Sequence, residues 1–335
     1  MKKYIYTVLA AVLSVTVLPA VPVYIAGAEH TAAVPELHEY IMPDEPEYSG
    51  EPYRVLNTRT GRVEEVAVRD YVIGAVGAEM PATFEPEALK AQAVAAHTYA
   101  ERQRNLERIT PTKELCGADS SDDTAKFQGY ITKSEMQEYY GDKYEEYYGK
   151  ISSAADEVMD MILTYRGEPA IAAFHSMSPG RTESAENAWG APVDYLIPVD
   201  SPADTSAPRY MDEVRYTEEM LRSKLESGFP GIELSGDRSE WIEIAEVSDS
   251  GTVLKVRAGD RTVSGNELRI ALGLRSACFS IENTADETVV TTRGFGHGVG
   301  MSQYGANAMA ADGSSWREIL AHYYPGCDLK EAVNR

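Results

Sequence analysis

Glu79 has the first side chain whose position suggests chemistry. The spacing of apolar residues predicts a short helix over residues 70–81, with Asp70 as its N-cap and Pro81 as its stop. Glu79 would then lie in the last turn, where the negative end of the helix dipole makes a carboxyl hold its proton more tightly. This placement suits a general acid. An exposed glutamate at a helix end is the alternative that the pattern leaves open.

A second helix is predicted to begin at Glu85 and Pro86, because proline is tolerated in the first turn, and to continue to Glu101. Lys90, His97 and Glu101 share one face, which is either a polar wall or a solvated surface. Another face holds a thin apolar stripe, which predicts close packing against the preceding helix with its Gly74 and Gly77. The stripe consists of Leu89, Ala93, Ala96 and Ala100.

Glycine occupies every second position from 294 to 300. If this segment is extended, one face carries no side chains, while Phe295, His297 and Val299 project from the other. A bare face lets another backbone or a ligand approach closely. The pattern indicates either a binding site or a tight edge strand, and it matches neither a dinucleotide fingerprint nor a phosphate loop. The alanine-rich segment 306–311 is predicted to be helical.

Three blocks, in this order, resemble the stage II sporulation protein D family, whose superfamily includes amidase enhancers. The first contains Ala-Glu-Met-Pro at 78–81 and Ala-Gln-Ala-Val-Ala-Ala-His-Thr-Tyr at 91–99. The second begins with Phe-His-Ser-Met-Ser-Pro-Gly-Arg-Thr at 174–182. The third contains the glycine segment and ends with His-Tyr-Tyr-Pro-Gly at 322–326. The resemblance covers residues 53–330.

This resemblance implies a lytic transglycosylase that cleaves peptidoglycan glycan strands, stripped of stem peptides, to leave 1,6-anhydro-muramic acid ends. It identifies Glu79 as the catalytic acid. An ordinary glycosidase needs a second carboxylate. A lytic transglycosylase instead uses the C6 hydroxyl of the same muramic acid as nucleophile, so one carboxyl serves first as acid and then as base. The alternative function is a glycan-binding activator of a partner amidase.

Polar residues of all three blocks are assigned to substrate binding: Lys90, Gln92, His97, Ser178, Gly180, Arg181, Thr182, His297, Ser302, Gln303 and Tyr304. We expect Glu79, the second block and His297 to face one cleft. Three residues depart from the family pattern. His97 stands where arginine is expected, which makes a fixed charge depend on pH. Met177 and Pro179 stand where asparagine and glycine are expected.

The sequence predicts no metal and no cofactor. Some family members resemble a zinc-bearing form with a cysteine–histidine–cysteine cluster, but here Cys116 lacks such partners. The three cysteines are widely separated and allow at most one disulfide, and the six histidines show no metal-ligand spacing.

The charge of the chain limits its partners. A formal net charge of −22 argues against nucleic acid, because phosphate binding needs basic patches, and remains compatible with a glycan. The resemblance implies that the protein acts during engulfment, between the mother cell and forespore membranes. Its partners there would be an amidase and a membrane scaffold resembling stage II sporulation proteins P and M.

The N-terminus predicts export. Lys2 and Lys3 precede 25 residues without a charge, long enough to span a bilayer, with the lysines on the cytoplasmic side. We therefore expect residues 1–28 to form a single-pass signal anchor in the cell membrane. Cleavage after Ala28 is the alternative, since Pro19 and Pro22 interrupt the run.

The predicted fold class is α+β. Residues 29–52 are acidic and contain prolines, which is typical of a linker. A hairpin with a turn at 59–61 opens the domain at 53–332. Its helical part, about 53–200, carries Glu79, and short strands at 240–285 predict a β-rich part, about 205–332, that carries His297.

Overall fold

The computed structural model describes residues 50–332. The predicted signal anchor at 1–28 and residues 29–49 of the predicted linker lie outside this range. Within it, none of the helices combines the length and the apolar character that crossing a bilayer requires.

The described chain mixes helices and strands, which confirms the α+β class. The helices are, in order, α1 (Val68–Glu79), α2 (Pro86–Ile109), α3 (Lys133–Tyr140), α4 (Tyr144–Asp156), α5 (Ala185–Trp189), α6 (Glu218–Gly228), α7 (Gly265–Leu272), α8 (Gln303–Ala311) and α9 (Trp316–Tyr323). The strands are β1 (Tyr53–Asn57), β2 (Arg62–Val66), β3 (Ser120–Ser121), β4 (Met161–Tyr165), β5 (Glu168–Pro169), β6 (Phe174–His175), β7 (Met211–Thr217), β8 (Ile242–Val247), β9 (Val253–Ala258), β10 (Arg261–Ser264), β11 (Phe279–Asn283), β12 (Glu287–Arg293), β13 (Met301–Ser302) and β14 (Asp328–Glu331).

Helix α2 runs through the larger of two hydrophobic cores. It begins at Pro86, as predicted. Proline is tolerated there because a backbone N–H in the first turn would have no partner within the helix. The four residues of its apolar stripe are all buried, and α1, α4, α8 and α9 pack around it. The small side chains of the stripe allow these neighbours to approach closely.

Helix α1 differs from its prediction in two details. It begins at Val68, so Asp70 lies in the first turn and is not the N-cap. Gly74 and Gly77 do admit a close neighbour, but that neighbour is the segment 130–136 and not α2. A Cβ on Gly74 would lie 2.3 Å from the carbonyl oxygen of Ile131, and one on Gly77 would lie 2.6 Å from Met136.

Two separate stretches of the chain form the larger core, so the boundary between the helical part and the β-rich part differs from the predicted one. After residue 299 it returns to the helices: β13 pairs in parallel with β6, and β14 pairs antiparallel with β4. Val299, Met301, Ile319 and Tyr324 belong to the same core as α1 and α2. The β-rich part is therefore the insertion from β7 to β12 and does not extend to residue 332.

The insertion has its own core. Strands β8–β10 form one antiparallel sheet, and β7, β11 and β12 form another, with α6 and α7 packed together beside them. Trp241 and Val290 are buried in this second core. The strands predicted between 240 and 285 are therefore confirmed. Beyond the sheets, Ser276 forms an isolated bridge with Gly296 of the glycine segment.

Candidate active site

Glu79 is the last residue of α1, and the protein buries it. Glu79 is 8% exposed, and its Oε1 accepts a hydrogen bond of 2.5 Å from the backbone N–H of Gly129. Burial raises the pKa of Glu79 to about 7, against the effect of the Gly129 hydrogen bond. The exposed glutamate left open by the sequence is excluded, and burial is the main cause of the raised pKa.

The segment 128–131 covers this carboxyl. Gln128 fixes the segment between the first two helices, since its Nε2 donates to the Tyr71 hydroxyl and to the carbonyl oxygen of Ala96. Tyr130 stacks on Tyr71 with ring centroids 5.1 Å apart. A Cβ on Gly129 would lie 2.8 Å from Glu79 Oε1, so glycine lets the carboxyl occupy this position without a shift. Sequence reasoning missed Gly129 because no local pattern marks it.

The polar residues of α2 separate into different environments. Lys90 forms ion pairs with Glu87 at 2.8 Å and with Glu157 at 2.5 Å. His97 is buried beside Glu101, with 3.7 Å between Nε2 and Oε1. Lys90 and His97 therefore contact different residues of the protein, although they lie on the helix face that was predicted to form one polar wall. Contact of Lys90 or His97 with substrate stays a prediction.

Gln92 connects the first block with the third. It is fully buried, and its Oε1 lies 3.5 Å from Nε2 of Gln303, the first residue of α8. The Gln92 Nε2 atom has no hydrogen-bond partner within residues 50–332. A second contact joins the same elements, since the ring of Tyr304 meets Phe84 edge-on at 5.0 Å. Helix α8 therefore begins against the loop that follows Glu79.

Asp204 joins the second block to the third and was missed by the sequence reasoning. It is completely buried in a short 3₁₀ helix, Pro202–Ser206. One carboxyl oxygen accepts from the amide and hydroxyl of Ser178, and the other accepts from the hydroxyl of Ser302. Burial raises the pKa of Asp204, and these hydrogen bonds oppose the rise. Ser178 and Ser302 are themselves fully buried, so the structure gives their hydroxyls a positioning role.

The remaining predicted residues of the second block are consecutive, at 180–182. Thr182 is buried, and its hydroxyl accepts from the amide of Val199. Gly180 has a φ of +114° and accepts at its carbonyl from Ser201. Arg181 is half exposed and lies 3.6 Å from Asp200, so it is the most accessible of the three.

The glycine segment is not the extended strand that the sequence suggested. Strand β12 ends at Arg293, and all four glycines from 294 to 300 have positive φ. The expected close approach is real: a Cβ on Gly300 would lie 2.0 Å from the Ala173 carbonyl oxygen, and one on Gly296 would lie 2.7 Å from His175. The glycines therefore let the third block lie directly on the second.

His297 lies beside two other rings, at the contact between the second and third blocks. Its ring centroid lies 5.5 Å from Trp189 and 5.8 Å from His175, and its Nδ1 accepts from the amide of Val299. Burial lowers the pKa of His297 to about 3, and His175 and Arg269 add to the effect, so the ring is neutral at pH 7. Among the described residues no hydrogen bond or ring contact joins His297 to Glu79. Their sharing of one cleft stays a prediction.

Potential metal ligands are dispersed. The described part of the chain contains no group of three histidine, cysteine or acidic residues placed to hold an ion. Cys116, Cys278 and Cys327 are unpaired. A surface depression lies on the insertion beside Ser239, Glu240 and Arg257, and none of the predicted site residues lines it.

The geometry defines an α+β protein with two hydrophobic cores, in which Glu79 is buried at the end of α1 with a raised pKa and the second and third blocks lie against each other. Comparison with known proteins gives the family. The stage II sporulation protein model matches residues 56–165. The stage II sporulation protein D of Bacillus subtilis (strain 168) is 40% identical over 83% of this chain and 78% of its own length. The same protein of Bacillus amyloliquefaciens is 38% identical over the same shares.

This chain therefore belongs to the stage II sporulation protein D family, which confirms the resemblance seen in the sequence, and it is a sporulation protein. A more distant relative is the amidase enhancer of Bacillus subtilis (strain 168), at 28% identity over 76% of this chain and 40% of that protein.

Proposed function

We propose that this protein is a lytic transglycosylase that cleaves peptidoglycan glycan strands, with Glu79 as its single general acid and base. The observation that carries the proposal is the buried carboxyl at the end of α1, whose pKa is raised to about 7. An acid of this pKa is protonated often enough at neutral pH to donate, and its conjugate base can still accept a proton.

The surroundings of Glu79 favour this mechanism over hydrolysis by two carboxylates. Only burial and the Gly129 hydrogen bond shift its pKa, and no second carboxylate contributes. Hydrolysis would need a second carboxylate, either to activate water or to form a glycosyl intermediate. In the proposed reaction Glu79 protonates the bridging oxygen between muramic acid and glucosamine. The bond from C1 of muramic acid to that oxygen breaks, and glucosamine leaves with the donated proton. Glu79 then takes the proton of the C6 hydroxyl of the same muramic acid, whose oxygen bonds to C1 and closes the 1,6-anhydro ring.

The setting of the reaction is also proposed. We place the protein at the cell membrane, held by residues 1–28, with the described domain between the mother cell and forespore membranes. An amidase would remove the stem peptides there before this protein cuts the strands, and a membrane scaffold would hold the two together. Membership of a sporulation family and a relative named amidase enhancer support this setting.

A non-catalytic activator of an amidase is the second candidate. The name of that relative favours it, and so does the burial of several predicted substrate contacts, including Ser178, Thr182 and Ser302. An activator has no need of a buried carboxyl with a raised pKa, whose burial costs folding free energy. The state of Glu79 therefore favours the enzyme.

Mass spectrometry of purified peptide-free glycan strands after incubation tests the proposal. The expected products end in 1,6-anhydro-muramic acid, and reducing ends would indicate a hydrolase. Glu79→Gln keeps the shape but removes the transferable proton, so cleavage should fall by roughly 10²–10⁴-fold while glycan binding persists. Unchanged cleavage by Glu79→Gln would show that the acid lies elsewhere.

A further inference from the structure

Arg275 belongs to the insertion and lies beside the contact between the second and third blocks, which is called the joint below. It lies in the loop between α7 and β11, next to Ser276, which bridges to Gly296 in the glycine segment. Its guanidinium carbon lies 4.4 Å above the centre of the Phe295 ring. Phe295 in turn exchanges two backbone hydrogen bonds with Met177 of the second block. Arg275 is thus fixed against both blocks.

One side of the Arg275 guanidinium is occupied and the other is available. Nη1 donates to the carbonyl oxygen of Arg209 at 2.7 Å. Nε and Nη2 donate to no atom within residues 50–332, and no carboxylate there forms an ion pair with Arg275. These two N–H groups form the edge that binds a carboxylate through two parallel hydrogen bonds. Stacking and the Arg209 contact hold that edge in place before any ligand arrives.

Burial lowers the pKa of Arg275; the charge of Asp212 opposes that effect, the charge of Arg209 adds to it, and Tyr304 opposes it. Tyr304 is also the residue whose ring meets Phe84, five residues after Glu79. The glycine segment, on whose Phe295 Arg275 stacks, therefore leads into α8, which contacts the loop after Glu79.

The chemistry of the glycan supplies one carboxylate. Each muramic acid carries a lactyl ether at C3, whose carboxyl is free in a peptide-free strand and becomes an uncharged amide when a stem peptide is attached. We propose that Arg275 binds this free lactyl carboxylate and thereby makes the protein select peptide-free strands. This inference rests on the proposed function, because it takes the glycan strand as the ligand.

Binding to matched oligosaccharides tests the inference directly. The Glu79→Gln variant is used so that the ligand stays uncut. Calorimetry compares muramic acid–glucosamine oligomers with a free lactyl carboxyl against the same oligomers converted to the methylamide. We expect Glu79→Gln to bind the carboxylate form roughly 10- to 100-fold more tightly, as a two-bond charged contact does. Adding Arg275→Gln should abolish this preference and leave binding of the methylamide unchanged.

Two further variants separate recognition from structure. Arg275→Lys keeps the positive charge but lacks the pair of parallel N–H donors. It should therefore keep only part of the preference for the carboxylate ligand. Arg222→Gln is the matched control, because Arg222 also stacks on an aromatic ring, Trp241 at 4.3 Å, but is paired with Glu218 and Glu226. It should keep the full preference. An equal weakening of both ligands by Arg275→Gln, or an undiminished preference, would overturn the inference.

The two proposals fail in different ways. If the wild-type protein leaves strands uncut while Glu79→Gln shows an Arg275-dependent preference, the transglycosylase proposal fails and the carboxylate site stands. If strands are cut to 1,6-anhydro ends but Arg275→Gln keeps the preference, the carboxylate site alone is wrong.

Discussion

The carboxyl of Glu79 and the backbone amide of Gly129 are joined by a hydrogen bond of 2.5 Å across 50 residues of sequence. This contact closes the segment 128–131 over the end of α1 and holds the carboxyl in a dry environment. A single amide satisfies only part of the hydrogen-bonding capacity of an ionised carboxylate. Burial therefore outweighs the hydrogen bond, and the pKa of Glu79 rises.

Gly129→Ala should disturb this contact. The added Cβ would lie 2.8 Å from Glu79 Oε1, so either the carboxyl or the covering segment must move. We expect strand cleavage to fall about 10- to 100-fold, since a misplaced general acid loses much of its effect. The matched control is Gly149→Ala, whose Cβ meets nothing within 4 Å inside α4 and which should be neutral or slightly stabilising. Equal activities of the two variants would contradict the assigned contact.

Stability should depend on pH through Glu79. The pKa of this carboxyl rises from 4.5 to about 7 on folding, so the folded state holds the proton more tightly than the unfolded state. The contribution to stability is full below pH 4.5 and is lost as the pH rises through 7, where the ionised group costs roughly 3 kcal/mol. Glu79→Gln should therefore be more stable than wild type at pH 8, with the gap closing towards pH 4.5. Urea unfolding of both proteins across this range measures the gap, and a constant difference would show that the carboxyl is not buried in the folded protein.

Some of these relationships were open to sequence reasoning and others were not. Local residue patterns identify some features without knowledge of the fold. These are the helix start at Pro86, the hairpin at 53–66 and the helix that carries Glu79 in its last turn. Gly129 and Asp204 act through contacts with residues far away in the chain, so no spacing marks them. The candidate site lies where distant parts of the chain meet, so the contacts within it could not be predicted from local patterns.

The glycine segment shows the same limit in a different form. Alternating glycines fit a strand with one bare face, and the expected close approach of another backbone is present. The positive φ at each glycine from 294 to 300 was not foreseen, because a period of two does not reveal the sign of φ. The left-handed backbone ends β12 at Arg293 and leaves only isolated bridges, such as Phe295 with Met177.

Asp204→Ala should destabilise the joint between the second and third blocks. It leaves the amide and hydroxyl of Ser178 and the hydroxyl of Ser302 without their acceptor in a buried place. Unsatisfied buried donors cost about 1–3 kcal/mol each, so we expect a loss of at least 2 kcal/mol in unfolding free energy. Asp200→Ala is the control, since Asp200 is 78% exposed in its pair with Arg181 and should cost under about 1 kcal/mol. Similar losses in denaturant unfolding would argue against a structural role for Asp204.

Gly300→Ala should be among the most harmful substitutions in the third block. The new Cβ would lie 2.0 Å from the carbonyl oxygen of Ala173, and the residue would also keep a φ of +72°. Gly313→Ala separates these two effects, because Gly313 has a φ of +94° but nothing within 4 Å of its Cβ position. The left-handed conformation alone costs an alanine roughly 1–2 kcal/mol, and we expect that loss at position 313. At position 300 the backbone clash should raise the loss by about 2 kcal/mol or more, as overpacking does, and should also reduce strand cleavage by moving β13 away from β6. Thermal and urea unfolding of the two variants check the difference, and equal losses would mean that the third block does not lie against Ala173.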